Sequence, residues 1–589
     1  MLILSIFLIL LSISVTIRRD VSILLSRGAL IIMIVCLMIS IEITDNTILD
    51  KSIGIFSGLF NNTPLTQIFK TFIYGITSVI LFLTSFYPRK YKSYDILSTI
   101  SSLATSNNYL TSFANNKGLN KNILHKEKEY INTFFLGMIF NKMSEQFRII
   151  EYSLIMLLAL SGVIFLISNS DLISLFLCIE LQSYGLYLIC TTYKNSELAT
   201  SAGLTYFLLG GLASCFILLG IGLLYTNSAN VNLDGLYVIN NLSNIIDENL
   251  NNWYESYYIS YSLLILSIGL LFKISAAPFH IWSPDVYDNI PTIVTTFVAI
   301  IPKLSILIIM LELVHYTGNI YLGTNITWTA SLLLSSFFSL IIGTVLGLSQ
   351  SRIKRLFAYS TISHLGFILL ALSVNTIESS QSFIFYLMQY TISNLNAFIL
   401  ILSMGYALFF YRSDNIEYNK LQEKNNSPIQ LTNQIKGYHN ISPILTLSFA
   451  ITLFSFVGIP PLIGFFAKQM VLSSALDKGY VFLVLIAILT SVIAAVYYLG
   501  IIKRMYFDEH DYLPFELKKD NNIEDSNMIL NTEKLEILSE KQDNTNIYIS
   551  NYLSITISII TLLVLIFILV PQEFMNLSNI LTLVLYVSK

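Results

Sequence analysis

The sequence predicts an all-α polytopic membrane protein with about fourteen transmembrane helices, two inverted five-helix repeats, and breaks in helices seven and twelve. Three observations predict it: composition, recurring apolar runs, and the placement of basic residues. Of the 589 residues, 54% are hydrophobic and 12% charged, against roughly 25% charged in a typical soluble domain. Apolar runs of about 17 to 25 residues, enough to cross a hydrocarbon core as a helix, recur from end to end. No strand-like alternation of the kind a barrel requires accompanies them.

The first three spans fall at 1–17, 22–41 and 68–87, forming an N-terminal segment 1–87. The first run starts at Met1 and its basic residues, Arg18 and Arg19, follow it. That order reverses a secretory signal, so it reads as a retained helix. No Arg-rich, Ser-rich presequence precedes it, so a mitochondrial destination requires synthesis inside the organelle. Abundant Ile, Leu, Asn, Tyr, Phe and Ser with scarce Ala, Gly and Arg fit an A+T-rich genome of that kind.

A polar insertion rich in Asn, Lys, Glu and Ser follows at 88–149 and reads as a solvated loop without ligand or nucleotide spacing. The first repeat, 150–316, holds spans 150–168, 171–193, 200–225, 259–283 and 292–316, with an acidic, Asn-rich loop near 226–258. The second, 317–502, holds spans 325–348, 356–375, 381–411, 443–475 and 479–502. A second polar loop at 503–548 precedes the last span, 549–570, within a C-terminal helix and tail, 549–589. The two blocks start on opposite sides and each has its fourth helix broken, by Pro278 in one and by Gly458 to Pro461 in the other. Proline removes a backbone donor mid-helix, and such breaks survive only against protein or water. Matching breaks in two halves mark inverted-repeat transporters with midplane ion sites.

Basic residues set orientation because they resist translocation. With fourteen spans, 26 of the 33 basic residues fall on one side. They include the short clusters Arg18, Arg19, Arg27 and Arg352, Lys354, Arg355. The other side has Lys51, Lys70, Lys478 and Lys589, which puts both termini on the outer face. Lys273, Lys303 and Lys468 remain inside spans.

A charge at mid-bilayer costs a few kcal/mol or more, so an ionisable group there is a functional candidate. Glu180 lies nine residues past Asp171, near the midplane at about 1.5 Å per residue. Lys303 lies far from either end of its span, Lys273 lies deep beside Pro278 and His280, and His364 and Lys468 complete the set. Each has a plainer reading: Glu180 as a neutral acid hydrogen-bonded to Ser or Tyr, a lysine that snorkels, His364 as a packed residue. Glu312 and His315, near the outer end of the eighth span, read as interfacial. A buried lysine holds its proton weakly while a nearby carboxylate strengthens its grip, so a Glu–Lys pair toggles with distance. A row of such groups suits proton relay through bridging water.

The cysteines, Cys36, Cys178, Cys190 and Cys215, have no paired spacing or His cluster and read as packing residues. Iron–sulfur or haem ligation therefore finds no support. Nor does a Gly-rich dinucleotide fingerprint follow a strand, and the loop lysines give no reason to expect nucleic acid as a partner.

The segments "LFKISAAPFHIWSPDVYDNIPT", "IIPKLSIL", "LCIELQSYGLYL", "KRLFAYSTISHLGF" and "GIPPLIGFFAK" resemble the antiporter-like membrane subunits of respiratory complex I, the mitochondrial NADH:ubiquinone oxidoreductase. The resemblance covers roughly 150–505, and the "FKISAAPFHIW" wording and Lys468 favour the subunit 2 branch, since subunit 4 has a glutamate there. It implies a proton-pumping subunit whose hydrophilic axis is Glu180, Lys273, Lys303 and Lys468, with His364 linking half-channels. It also implies that the basic side is the matrix and the outer side the intermembrane space. The expected partners are other membrane subunits of the complex, including antiporter-like ones, and phospholipids. No cofactor is expected in this chain; NADH, flavin, iron–sulfur clusters and ubiquinone would bind elsewhere. The large loops depart from compact relatives and point to a lineage-specific extension of fungal type. Two rivals stand: a stand-alone Mrp-type sodium/proton antiporter, and a structural subunit whose buried charges merely pair.

Overall fold

The computed structural model describes residues 1–15, 21–44, 52–85, 149–246, 257–318, 321–322, 324–408, 411–413, 421, 426–509, 512–514, 551–567 and 569–587. Most of the expected insertions 88–149 and 503–548 lies outside the described residues. The architecture is helical, with three short antiparallel strand pairs outside the helices.

Three helices, α1 (Leu2–Val15), α2 (Val21–Thr44) and α3 (Pro64–Ser85), precede the central body. Then come α4 (Tyr152–Ile167), α5 (Leu172–Thr191) and α6 (Glu197–Ser228). Polar residues start these last two: the Asp171 side chain accepts from the Ser174 amide at 3.5 Å, and Ser196 from the Ala199 amide at 3.0 Å. Such caps satisfy donors left open in the first turn.

Residues 226–258 differ from the expected loop. Helix α6 runs to Ser228, and α7 (Leu233–Ile246) follows. Leu233 and Leu236 are buried while Asp234 is exposed, so a short amphipathic stripe suffices to dock this polar stretch. The seventh expected span is α8 (Tyr257–Ile274), a break, and α9 (Trp282–Asn289). Next are α10 (Thr292–Thr317), α11 (Ala330–Leu348), α12 (Ile353–Val374) and α13 (Ile377–Leu408). The twelfth divides into α14 (Pro443–Val457) and α15 (Ile463–Asp477), and α16 (Val481–Tyr506) follows. Proline at the first position of α14 loses no helical bond, and Gly458, at φ 84°, ends that helix in the left-handed region. Within the C-terminal segment, α17 (Asn551–Ile566) is followed by a second helix, α18 (Pro571–Val587).

Among the described residues, nine helices are long and apolar enough to cross a membrane, and α1, α4, α8 and α14 are shorter apolar helices. This is a multi-pass membrane protein. Helices α10, α12 and α13 are almost wholly buried, whereas α6 and α16 expose large apolar side chains, as lipid-facing helices do. Two glycines bring neighbours close: an added Cβ at Gly162 of α4 would lie 2.7 Å from the Gln182 nitrogen, and one at Gly343 of α11 would lie 2.6 Å from the Ser363 nitrogen. Small residues at helix contacts drive packing where lipid removes the usual hydrophobic force.

Candidate functional site

Both breaks lie beside ionisable side chains. Where α8 ends, Lys273 Nζ donates to Glu180 Oε1 at 3.3 Å and lies 3.5 Å from the Tyr187 hydroxyl, both on α5. The side chains are 7% and 15% exposed. The break is held by protein: Trp282 Nε1 donates to the Phe272 carbonyl at 3.0 Å, and the Ala276 amide to the Leu271 carbonyl at 3.0 Å. The Trp282 ring stacks on Tyr206 at 4.8 Å, which in turn meets Tyr187 edge-on at 4.8 Å.

Two residues beyond Lys273, Ser275 takes a φ of 64° and turns its hydroxyl toward α10. There Lys303 Nζ, buried at 2% exposure, donates to Ser275 Oγ at 2.8 Å and Thr361 Oγ1 at 3.3 Å and lies over the Tyr287 ring. Thr361 belongs to α12, one turn before His364. His364 Nδ1 meets the Tyr386 hydroxyl at 2.8 Å, and Tyr498 joins its Nε2 at 3.3 Å to Ser360 Oγ at 2.6 Å. Its ring lies 5.2 Å from that of Phe456. Lys468, half-buried on α15, reaches back across the second break and donates to the Phe456 and Val457 carbonyls at 2.9 and 2.8 Å. These are open acceptors at the end of α14, where the helix dipole favours a cation. The ammonium thus stands at the break.

All five sequence-selected residues therefore adjoin one polar row. Glu180 pairs with Lys273, and Lys303 donates to Ser275, two residues along the chain from Lys273. His364 is joined to Lys303 through α12, and reaches Lys468 across Phe456 and across Phe367, whose ring lies under the ammonium and stacks on Tyr386.

Sequence reading missed the hydroxyl partners Tyr187, Ser275, Thr361, Tyr386 and Tyr498. Tyr386, Gln389 and Tyr390 in an apolar helix, at near-helical spacing, were the available signal. Nor did it show that Lys354, counted among the basic-side clusters, is buried. That ammonium is buried and donates to the Asp288 carbonyl at 3.2 Å, the Ile290 carbonyl at 2.6 Å and Ser427 Oγ at 2.6 Å. Beside it, Asp288 pairs with Arg352 at 2.6 Å and Arg355 at 3.2 Å, and Asp285 with Arg355 at 2.9 Å. Lys70, placed on the outer side by its position, is likewise buried, donating to Asn62. Three of the four cysteines are buried and Cys215 is exposed.

The family described as NADH:quinone oxidoreductase/Mrp antiporter, transmembrane region, matches residues 169–494. NADH-ubiquinone oxidoreductase chain 2 of Rhizopus oryzae is 40% identical over 566 residues, covering 94% of each chain. The chain belongs to this family. As a chain 2 family member it shares its fold with a chain of respiratory complex I from Thermus thermophilus, with a TM-score of 0.62 at 21% identity, covering 94% of this chain and 93% of that one. A chain of the Mrp complex from Dietzia has a TM-score of 0.66 at 16% identity, covering 99% and 96%. Both likenesses concern architecture alone.

Proposed function

We infer that this chain is the proton-translocating, antiporter-like membrane subunit of an NADH:ubiquinone oxidoreductase, moving protons from matrix to intermembrane space. The observation that carries the reading is the set of buried lysines on polar partners: Lys273 pairs with Glu180 at the end of α8, and Lys303 of α10 donates to Ser275, two residues along the chain from Lys273, and to Thr361 of α12. In this reading Glu180 and Lys273 couple to neighbouring subunits, Lys303 is the central relay, His364 links the half-channels, and Lys468 serves the exit side. The redox groups (NADH, flavin, iron–sulfur clusters, ubiquinone) lie in other subunits. Partners are the other membrane subunits, antiporter-like ones among them, and phospholipids.

Counting each broken helix with its continuation, and α17 with α18, and leaving out the polar α7, the described helices group into fourteen crossings. Spans four to eight and nine to thirteen then form the inverted repeats 150–316 and 317–502. The protein would be encoded in the mitochondrion and lie in its inner membrane, with both termini in the intermembrane space.

Replacing Lys303 tests the reading. In inner-membrane vesicles with normally assembled complex, Lys303→Ala lowers proton pumping and coupled NADH oxidation. Unchanged pumping at normal assembly overturns the central role. Sodium-dependent exchange by the isolated chain would favour the stand-alone antiporter instead.

A further inference from the structure

The sequence puts three cations, Arg352, Lys354 and Arg355, at the start of α12. The positive end of the helix dipole lies there, so these cations work against the helix unless other partners take them up. Arg352 and Arg355, with side chains 42% and 37% exposed, reach the carboxylates of Asp285 and Asp288. Lys354 is buried, at 1% exposure. Its ammonium makes three hydrogen bonds, as many as it has hydrogens, to two other pieces of the chain. The Asp288 carbonyl lies in the last turn of α9 and the Ile290 carbonyl on the residue that ends it, where open acceptors attract a cation. Ser427 belongs to a strap, 426–432, laid across the starts of α10 and α12. The Asn426 carbonyl accepts from the Thr292 amide at 3.3 Å, the Gln430 carbonyl from the Ile353 amide at 2.9 Å, and the Thr432 amide donates to the Ser351 carbonyl at 2.9 Å. The strap packs closely on α13, where a Cβ added at Gly405 would lie 2.3 Å from Pro428 Cγ.

The elements that Lys354 joins are the ones that carry two contacts of Lys303. Tyr287, whose ring centre lies 5.3 Å from the Lys303 ammonium, directly precedes Asp288 on α9. Thr361, which accepts from Lys303 at 3.3 Å, lies seven residues past Lys354 on α12. That spacing returns it to within about 20° of Lys354 round the helix, about 10 Å further along the axis. A closed loop results: from Lys303 to Thr361, back along α12 to Lys354, across to Asp288, and through Tyr287 to Lys303 again.

We propose that Lys354 is a positioning residue for Lys303: by tying α9, the strap and α12 together it sets the register of α12 against α9, and with it the places of Thr361 and Tyr287 about the Lys303 ammonium. With its hydrogens placed on three acceptors, Lys354 seats these elements and passes no proton on. The Thr361 contact stands near the limit of a hydrogen bond, so a slip of about 0.5 Å along the helix axis severs it. Freeing α12 from α9 therefore reaches Lys303 although Lys354 lies two turns away.

The inference rests on the proton-conduction reading, and the test separates the two. Pumping per NADH oxidised is measured in vesicles carrying assembled complex with Lys354→Met, the isosteric Thr361→Val, both together, Ser427→Ala, or Lys303→Ala. Lys354→Met and Thr361→Val are each expected to lose about two-fold or more, and the double variant no more than the worse single one. Changes that strip the same contact do not add, whereas independent sites multiply their losses. A merely structural Lys354 gives the multiplied loss, and that result, or normal pumping in either assembled single variant, overturns the proposal. If Lys354→Met fails to assemble, Ser427→Ala, which withdraws one acceptor, takes its place in the same comparison with Thr361→Val. Unchanged pumping, multiplied losses or failed assembly there overturns the proposal. Loss in Lys303→Ala beside normal pumping in Lys354→Met sinks only the positioning role, whereas normal pumping in Lys303→Ala sinks the conduction reading itself.

Discussion

At the first break Lys273 meets a carboxylate, Glu180, at 3.3 Å; at the second, Lys468 meets the Phe456 and Val457 carbonyls at 2.9 and 2.8 Å. The first cation has a full counter-charge on a different helix. The second has only the partial negative charge of a helix end, about half an elementary charge when summed over the terminus. A partner on another helix is able to separate or take up a proton. Carbonyls on the adjoining segment do neither. The first break therefore has the makings of a switch, and the second of a fixed seat.

The largest expected effect tests the charged side of that contrast. Glu180→Gln leaves a buried lysine without its counter-charge, a loss of about 3–5 kcal/mol, so the yield of assembled complex on native gels falls sharply. Adding Lys273→Met restores assembly but not pumping. If pumping returns too, the pair is structural and the contrast breaks. Lys468→Gln keeps an amide to donate to one carbonyl, and its cost is smaller, about 2 kcal/mol. Assembly then falls less than with Glu180→Gln although pumping is lost; equal damage to assembly would show that the two seats do not differ.

Smaller changes probe the scaffold of the second half. Gly343→Ala drives a methyl against the Ser363 backbone at a cost of about 1–2 kcal/mol, lowering the thermal midpoint of the assembled complex and weakening the His364 position. Tyr498→Phe removes the bonds to Ser360 and His364 for about 1 kcal/mol. Its pumping should fall less than two-fold, and a loss as large as that of Lys303→Ala would promote Tyr498 from positioning to the relay itself.

The charged members of the site were legible because a lysine or glutamate inside an apolar run has no routine reason to be there. The breaks were legible for a related reason, since Pro278 and the Gly458–Pro461 run cannot continue a helix. What stayed hidden depends on distance through space. Ser275 and Thr361 look like any hydroxyl in a membrane helix until the turn at Ser275 aims one of them at Lys303. Lys70 and Lys354 were assigned by position along the chain, which cannot tell a solvated lysine from one buried among carbonyls. Residues 233–246 looked like loop because Asn and Asp dominate them, although two buried leucines anchor the helix.

The seat of Lys468 has one more consequence. Its partners belong to the main chain, so no amino-acid replacement deletes them and every variant at 456 or 457 carries the same two oxygens. A mutational scan scored by activity will therefore mark Glu180 and pass over the acceptors of Lys468. A map of the axis drawn from genetics alone would be blind on one side, and isotope-edited infrared spectroscopy of those two carbonyls is the kind of measurement that restores it.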